Sequence, residues 1–369
     1  MAGENLSSVF SALSQIMAPD LHRQWNRSTT FLGALAARKG ISDGTGKNVA
    51  FDVEFTGATA GTVAEGSDVQ ASEYNSDVNV PAIFSWAHYR SSFQVSETEL
   101  DAAMSSVGVP QALRDLLGDR ILGAGAQLAL AIEKDALSGT GVDGSGNPTL
   151  VGIYGGALTA SGGYGGLNPA TYSEWASNVV SNGGVARTLT PDLLAQVDQN
   201  IFTASSEPWD LIMTSAGVLR KYESIFNSGG GPNATAGMLQ RFVDAARGAP
   251  VGTGVPNDPA MQIEAYYKGK PVLRNAFQPA GKLAVLNTKK IEIKYLPRVL
   301  TQADKDFMRM MGLEGSSAGN APIQATAIPA RIAVMAKTGD SYKISLKTSL
   351  AMAVTRRNAC GQLVDISEV

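Results

Sequence analysis

Gly139-Thr140-Gly141-Val142-Asp143-Gly144 carries the letters of a dinucleotide-binding fingerprint, whose glycines let backbone amides close on a pyrophosphate where a helix begins. The run follows a helical stretch in place of opening one, so it reads as a loop. Gly44-Thr45-Gly46-Lys47-Asn48 lacks both the spacing of a phosphate loop and its Ser or Thr. Asp143, Ser145 and Asn147 stand at calcium-loop spacing. Pro148 occupies the place of the sharp-turn glycine, however, and no downstream glutamate fits the bidentate position, so these residues read as a structural turn.

Paired carboxylates are another route to chemistry, because two at a suitable separation can work as acid and base on a glycosidic bond. Asp101, Asp115, Asp119, Glu133 and Asp135 lie along helices at regular polar spacing, and solvated helix faces account for them. His88 sits among Phe84, Trp86 and Tyr89, where packing or a hydrogen bond is expected of it. Cys360 is the only cysteine, which excludes an intramolecular disulfide and any cysteine-based zinc site; it is expected to be a small buried hydrophobe. With His22 and His88 the only histidines, no His-Glu-x-x-His motif exists. The reading is of a chain that is not an enzyme and carries no metal or cofactor.

At 369 residues the chain is long enough for two or three domains. A hydrophobic fraction of 44% with 17% charged residues describes a folded protein, and a net charge of -3 gives no overall pull toward nucleic acid or anionic membrane. Forty glycines cluster around residues 139–166, 228–237 and 248–254, marking long loops. Met1 to Pro19 reads as a short amphipathic helix without the basic and apolar regions of a secretory signal. Ile121 to Ile132 is too short to cross a bilayer. The Asn26 and Asn233 sequons are read as chance matches.

The most informative stretch is a hairpin that feeds a long helix. Val49, Phe51, Val53 and Phe55 alternate with Ala50, Asp52 and Glu54, the period of a half-buried strand. The return arm, about Asp77 to Val95, is rich in β-branched and aromatic residues, and a polar tip from Thr56 to Ser76 joins the two. A two-stranded ribbon is marginal alone, so something must cover its apolar face, and a neighbouring copy is the expected cover. From Val53 through Tyr89 the only charges are acidic: Glu54, Glu65, Asp68, Glu73 and Asp77. Residues 20–40 form an arm bearing Arg23, Arg27, Arg38 and Lys39, so the chain sets a basic arm beside an acidic loop.

Ser96-Glu97-Thr98-Glu99 is a capping box opening a helix to about Ser106, and Pro110 starts the next. Leu113, Leu116, Leu117, Ile121, Leu128, Ile132 and Leu137 give that second helix a wide apolar stripe until Gly139 stops it. Helices are expected from Asn168 to about Asn182, from Thr190 through Phe202 and from Ala216 to Phe226. Strands are expected at Trp209–Met213, around Tyr266–Leu273, at Lys282–Leu286 and at Lys290–Tyr295. Ala330–Ala336 and Tyr342–Val354 read as a hairpin about Thr338–Ser341, and Gln362–Ile366 as a final strand.

This order of parts resembles the major capsid proteins of tailed double-stranded DNA bacteriophages. The phrases that carry the resemblance are Trp209-Asp-Leu-Ile-Met213 with Val218-Leu-Arg-Lys-Tyr222, then Gly269-Lys-Pro-Val272, the strand Tyr342–Val354 and the return Gly361–Ile366. The resemblance implies an α+β Hong-Kong-97-type fold with an N-terminal arm (1–40), an extended hairpin loop (41–95), a peripheral domain with a spine helix (96–160 and 298–354), an axial domain (161–297) and a C-terminal return (355–369). It implies self-assembly through pentamers and hexamers into an icosahedral shell in the host cytoplasm, as part of the virion. Partners implied are a portal, packaged DNA without sequence-specific contact and a decoration protein; no membrane partner is implied. No long charged helix precedes residue 20, which implies either a separate scaffolding protein or a chain already processed, and Met1 argues against processing. No lysine lies between Val49 and Val95, so lysine–asparagine cross-linking through the hairpin is not expected. Intersubunit contacts are expected at Phe51, Val53, Phe55 and Trp86, with Arg23 and Arg27 meeting Glu54, Glu65, Asp68 or Asp77 of a neighbour. Rival readings are an encapsulin-type cargo shell, a decoration or tail-tube protein, and a loop-rich carbohydrate-active enzyme.

Overall fold

The computed structural model describes residues 29–55, 79–99, 109–228, 265–297, 321–322, 329–334 and 340–368. The amphipathic stretch before Pro19, the hairpin tip, Asp101 and both sequons lie outside the described residues. The chain forms two compact units. The described part of one comes from His88–Ile132 and Pro297–Ser349, and the other from Thr30–Ala87, Glu133–Leu296 and Leu350–Val369.

In the first unit the capping box is formed as its spacing predicts. The Glu99 amide donates to Ser96 Oγ at 3.2 Å, and the Ser96 amide donates to Glu99 Oε2 at 3.1 Å. The long helix runs Val109–Ser138, 30 residues or about 45 Å, with Ala124, Leu128 and Ile132 buried. Strand Ser341–Val354 pairs with Ala87–Ser96 and, antiparallel, with Pro329–Val334, where Arg331 lies opposite Lys347 and Val334 opposite Ile344. Ile344 and Leu346 are buried on one face of that sheet, and Leu346 lies against Gly125 of the helix, 3.9 Å from where a β-carbon would stand.

The expected return arm is two strands. Asn79–Ser85 pairs with Asn48–Glu54, whereas Ala87–Ser96 belongs to the sheet just described. Trp86 makes the break. Its indole donates to the Gly46 carbonyl at 3.1 Å and lies so close over Gly44 that a β-carbon there would stand 2.5 Å from the ring. The inward positions change parity at the break, from 80, 82, 84 and 86 to 87, 89, 93 and 95, so the adjacent buried pair Trp86-Ala87 marks it.

The second unit is built on a six-stranded mixed sheet. Its order is Asn178–Val180, Gly361–Leu363, Leu283–Leu286, Leu211–Thr214, Lys270–Arg274 and Ala265–Tyr267. The two central strands are wholly buried, which fits their runs of Leu, Ile and Val. Helix Pro191–Ser205 begins at Thr190, whose hydroxyl accepts from the Leu193 amide, and it buries Leu194, Val197 and Ile201 on the sheet. Helix Ala216–Ser228 adds Val218, Leu219 and Tyr222 to the same core. The helix expected from Asn168 to Asn182 is instead a single 3-10 turn, Ser173–Trp175, followed by a strand. Asn178 there donates to the Asn358 carbonyl at 2.7 Å while its strand runs parallel to Gly361–Leu363. Residues 30–37, read as extended arm, form a helix, Thr30–Ala37, with Phe31, Leu32 and Leu35 fully buried.

Two buried charges fasten this unit. Arg357 is 1% exposed and donates to the carbonyls of Ala157, Gly156 and Thr159, the last at 2.6 Å. Burial lowers its pKa to about 10, so it stays charged at neutrality. Glu133, expected on a solvated helix face, is fully buried instead. Its carboxylate accepts from the amides of Phe31 (2.7 Å) and Leu32 (2.9 Å) and from the Asn275 side chain. It thus caps the Thr30–Ala37 helix from across the fold, satisfying amides that the helix cannot satisfy itself. Burial pushes this carboxyl up to about 7, against the pull of its three donors.

A carboxyl whose folded pKa lies above its ordinary 4.5 favours folding most when protonated. Its contribution is complete below about pH 4.5 and is lost as pH rises through about 7. Wild type should therefore lose about 2–3 kcal/mol relative to Glu133→Gln between pH 5 and pH 8. Urea unfolding of both proteins at the two pH values checks this.

Candidate assembly surface at the hairpin base

The hairpin strands alternate as the sequence predicts, with Phe51, Val53 and Phe55 half-buried on one face and Asp52 and Glu54 exposed on the other. The cover for the apolar face comes from the chain itself. Phe51 stacks on Phe84 at 5.8 Å between ring centroids, and Phe55 stacks on Tyr172 at 4.3 Å. Trp175 meets Phe55 edge-on at 6.1 Å, and Tyr164 meets Phe84 at 4.8 Å. Each such aromatic pair contributes about 0.5–1.5 kcal/mol beyond area burial. The expectation that a neighbour must supply the cover is thus revised at the base of the loop: Phe51 and Phe55 have partners in their own chain, and Trp86 is 7% exposed over Gly44.

The seat that receives the hairpin is a turn at Tyr164–Leu167. Gly165 adopts φ +62°, and its carbonyl accepts from the Ile83 amide at 2.9 Å. A β-carbon there would stand 2.7 Å from the Phe84 ring and 3.1 Å from Ala82, so glycine is required on both counts. Trp175 is pinned by its indole, which donates to the Tyr164 carbonyl at 3.0 Å. The Arg357 guanidinium lies 5.3 Å from the centre of the Tyr164 ring and 5.7 Å from that of Trp175, a cation held over aromatic faces. Sequence reasoning missed Gly165, Tyr164, Tyr172, Trp175 and Arg357. The aromatic spacing of 164, 172 and 175 lay in a stretch read as loop and helix, and nothing local ties Arg357 to it.

Val53 is half-buried and Glu54 exposed, while Arg23, Arg27, Glu65, Asp68 and Asp77 lie outside the described residues. Arg38 pairs with Asp210 of the sheet unit. The motifs set aside as structural behave so. The Asp143 carboxylate accepts from the amides of Ser145 and Asn147, each at 2.8 Å, and from the Asn147 side chain, which holds it below the usual carboxylate range. His88 Nδ1 lies 2.8 Å from Ser349 Oγ, and Cys360 is buried with its thiol pushed up to about 12. Gly315-Ser316-Ser317-Ala318-Gly319 has the letters of a nucleophile elbow and lies outside the described residues. Among the described residues no cluster of His, Cys, Asp and Glu could hold a metal ion, and no helix is long and apolar enough to cross a membrane.

Trp175→Ala removes the ring that Phe51 (6.4 Å between centroids), Phe55 and Arg357 approach, and should cost about 3–5 kcal/mol. Gly165→Ala should also lower the melting temperature. Differential scanning calorimetry on the unassembled subunits reads both.

No curated protein sequence matches the chain. Among solved structures, the capsid asymmetric unit of cyanophage A-1(L) is similar over 95% of this chain and 96% of that one, with a TM-score of 0.67 and 19% identity. The capsid of Myoviridae phage XM1 is similar over 95% and 96%, with a TM-score of 0.53 and 11% identity. The SrpI encapsulin of Synechococcus elongatus covers 97% and 96%, with a TM-score of 0.50 and 10% identity. Likeness at these identities is likeness of fold, the Hong-Kong-97-type fold that the order of elements led us to expect. Family follows from the sequence itself, because the family model described as SU10 major capsid protein matches residues 26–367. With nearly its whole length so matched, the chain belongs to the SU10 major capsid protein family: it is a structural, self-assembling protein of the virion and not an enzyme.

Proposed function

We propose that the chain assembles through pentamers and hexamers into an icosahedral shell around phage double-stranded DNA, and that the hairpin loop is the element by which one subunit grips the next. The observation that carries this reading is a ribbon firmly seated at its base, joined by a long tip, residues 56–78, that bears only acidic charge. The base is seated within the subunit, and the residues that join its two strands carry charge of one sign, which gives the loop something to find. Val53 and Glu54 at the rim, and Glu65, Asp68 and Asp77 beyond it, are assigned to the neighbour, as are Arg23 and Arg27 of the basic arm. Phe51, Phe55 and Trp86 serve those contacts by holding the base. The unit with the long helix is assigned to the peripheral domain and the unit with the six-stranded sheet to the axial domain.

Exposed ion pairs contribute under about 1 kcal/mol each, so buried apolar area holds the finished shell while charge sets registration. A separate scaffolding protein, a portal, a decoration protein and DNA held without sequence-specific contact complete the set, with assembly in the host cytoplasm. A cargo compartment is the second reading, favoured by the fold shared with the SrpI encapsulin. Shells filled with protein and free of DNA would establish it.

The test is assembly itself. Light scattering and negative-stain electron microscopy on the expressed chain, with its scaffold supplied, should find closed shells or rings of five and six. Deleting residues 56–76 should leave a folded subunit that forms none. Normal shells from the deletion variant would overturn the role given to the hairpin. Raising salt should slow assembly more than it dissolves finished shells, because screening acts on exposed charges at a distance.

A further inference from the structure

We propose that Asn182 is a site of spontaneous deamidation, and that the acid formed there loosens the C-terminal return around Asp365. Asn182-Gly183 is the only Asn-Gly pair in the sequence. Deamidation needs the amide nitrogen of the following residue to reach the side-chain carbonyl carbon, and a following glycine has no side chain to obstruct it. The turn presents both reactants. Asn182 to Val185 are all exposed, and the Val185 amide donates to the Asn182 carbonyl at 3.3 Å. Gly183 and Gly184 between them have φ +65° and +85°, as a type I′ turn requires. The amide at the first central position of such a turn takes no part in closing it. Among the described residues the Gly183 amide has no hydrogen-bond partner. No atom beyond its own chain neighbours lies within 4 Å of where a β-carbon on Gly183 would stand. The nucleophile is thus uncommitted and unobstructed.

Other asparagines lack one condition or another. Asn147 and Asn168 precede proline, which has no amide hydrogen to give up. Asn275 and Asn287 are buried, with their carboxamides donating to Glu133 and Glu207.

In the first step the Gly183 nitrogen bonds to Asn182 Cγ. The Cγ–Nδ2 bond breaks, and Nδ2 leaves as ammonia with the proton that the Gly183 nitrogen gives up. No oxidant or reductant is consumed. Water then opens the resulting succinimide at one of its two carbonyls. Opening at Cγ leaves aspartate; opening at the backbone carbonyl leaves isoaspartate, in which the chain runs through the former side chain.

Asp365 ties this turn to the end of the chain. Its carboxylate accepts from the amides of Asn182 at 2.8 Å and Gly184 at 3.0 Å. Its carbonyl accepts from the Arg187 amide at 2.8 Å, and the Ser367 amide donates back to the Arg187 carbonyl at 2.8 Å. Asp365 itself holds φ +62°, uncommon for a residue with a side chain, so these bonds keep it in place. The carboxamide that deamidation removes also serves the turn, since Asn182 Nδ2 donates to the Val185 carbonyl at 2.8 Å. An acid at 182 sets oxygen against that carbonyl and brings a second negative charge beside Asp365. Isoaspartate further lengthens the chain inside the turn and displaces the two amides that Asp365 holds. Both products therefore act on the same attachment.

The full-length chain, incubated in mildly alkaline buffer and digested in mildly acidic buffer, tests this by peptide mass spectrometry. Asn182 should become a mixture of aspartate and isoaspartate before any other asparagine of the described residues changes, and Asn182→Gln should abolish that conversion. A synthetic peptide of residues 178–187 supplies the rate of the same pair without the fold. An Asn182 still wholly amide once that peptide has converted fully, or one that changes only after another asparagine, would overturn the site. Asn182→Asp reproduces the aspartate product. Hydrogen–deuterium exchange at the amides of Val364, Ile366 and Ser367 should then run about threefold to tenfold faster than in wild type, the equivalent of one lost hydrogen bond. Should that variant fail to fold, the deamidated fraction of wild type, separated by ion exchange, gives the same comparison. Unchanged exchange at those amides would overturn the loosening. Neither readout requires a second subunit, so both stand apart from the shell reading.

Discussion

A two-stranded ribbon in water is marginal on its own. The structure meets that constraint by closing the base of the ribbon within the subunit. Phe51 and Phe55 go down onto Phe84, Tyr172 and Trp175, while the Ile83 amide bonds to Gly165. The exposed side keeps its carboxylates and Ile83. The base of the loop is thus ordered within the subunit, so association need not supply that ordering.

The aromatic seat depends in turn on charge. Arg357, from the segment just before the final strand, reaches the carbonyls of residues 156–159 and lies over Tyr164 and Trp175. The end of the chain is thereby locked to the turn that receives the hairpin. Glu133 works similarly in the same unit, joining the last turns of the long helix to the Thr30–Ala37 helix and to Asn275. Removing one partner of such a buried group leaves an uncompensated charge or a set of orphaned donors, so each fastener holds its segments together or fails outright. Both join residues about a hundred or more positions apart, which lets a chain that threads repeatedly between two units keep them whole.

The sequence made some of this legible and hid the rest for identifiable reasons. The capping box at Ser96–Glu99, the long apolar helix, the buried strand after Trp209 and the closing hairpin all follow local rules, and each stands where those rules put it. Asp143 and Asn147 were correctly a turn, because Pro148 already forbade the alternative. What local rules could not reach was the partner of each long-range contact. Glu133 has the polar spacing of a solvated carboxylate and is buried only because the amides of Phe31 and Leu32 arrive there. Trp86 lies where the alternation slips by one residue, and its ring is claimed by Gly44 and Gly46, contacts that the slip alone does not reveal. The stretch 168–182 starts with good helix-opening residues, and pairing of Asn178–Val180 beside the C-terminal strand overrides them.

The central claim is that the hairpin base is seated before assembly. Hydrogen–deuterium exchange on the unassembled subunit measures this directly, through the amides of Asn48–Glu54 and Asn79–Ser85. The account predicts that these amides are already protected in the free subunit, to nearly the level found in finished shells, and that Trp175→Ala removes the protection. Amides that exchange freely in the subunit and become slow only within the shell would contradict it, and would return the covering of the ribbon to the neighbour.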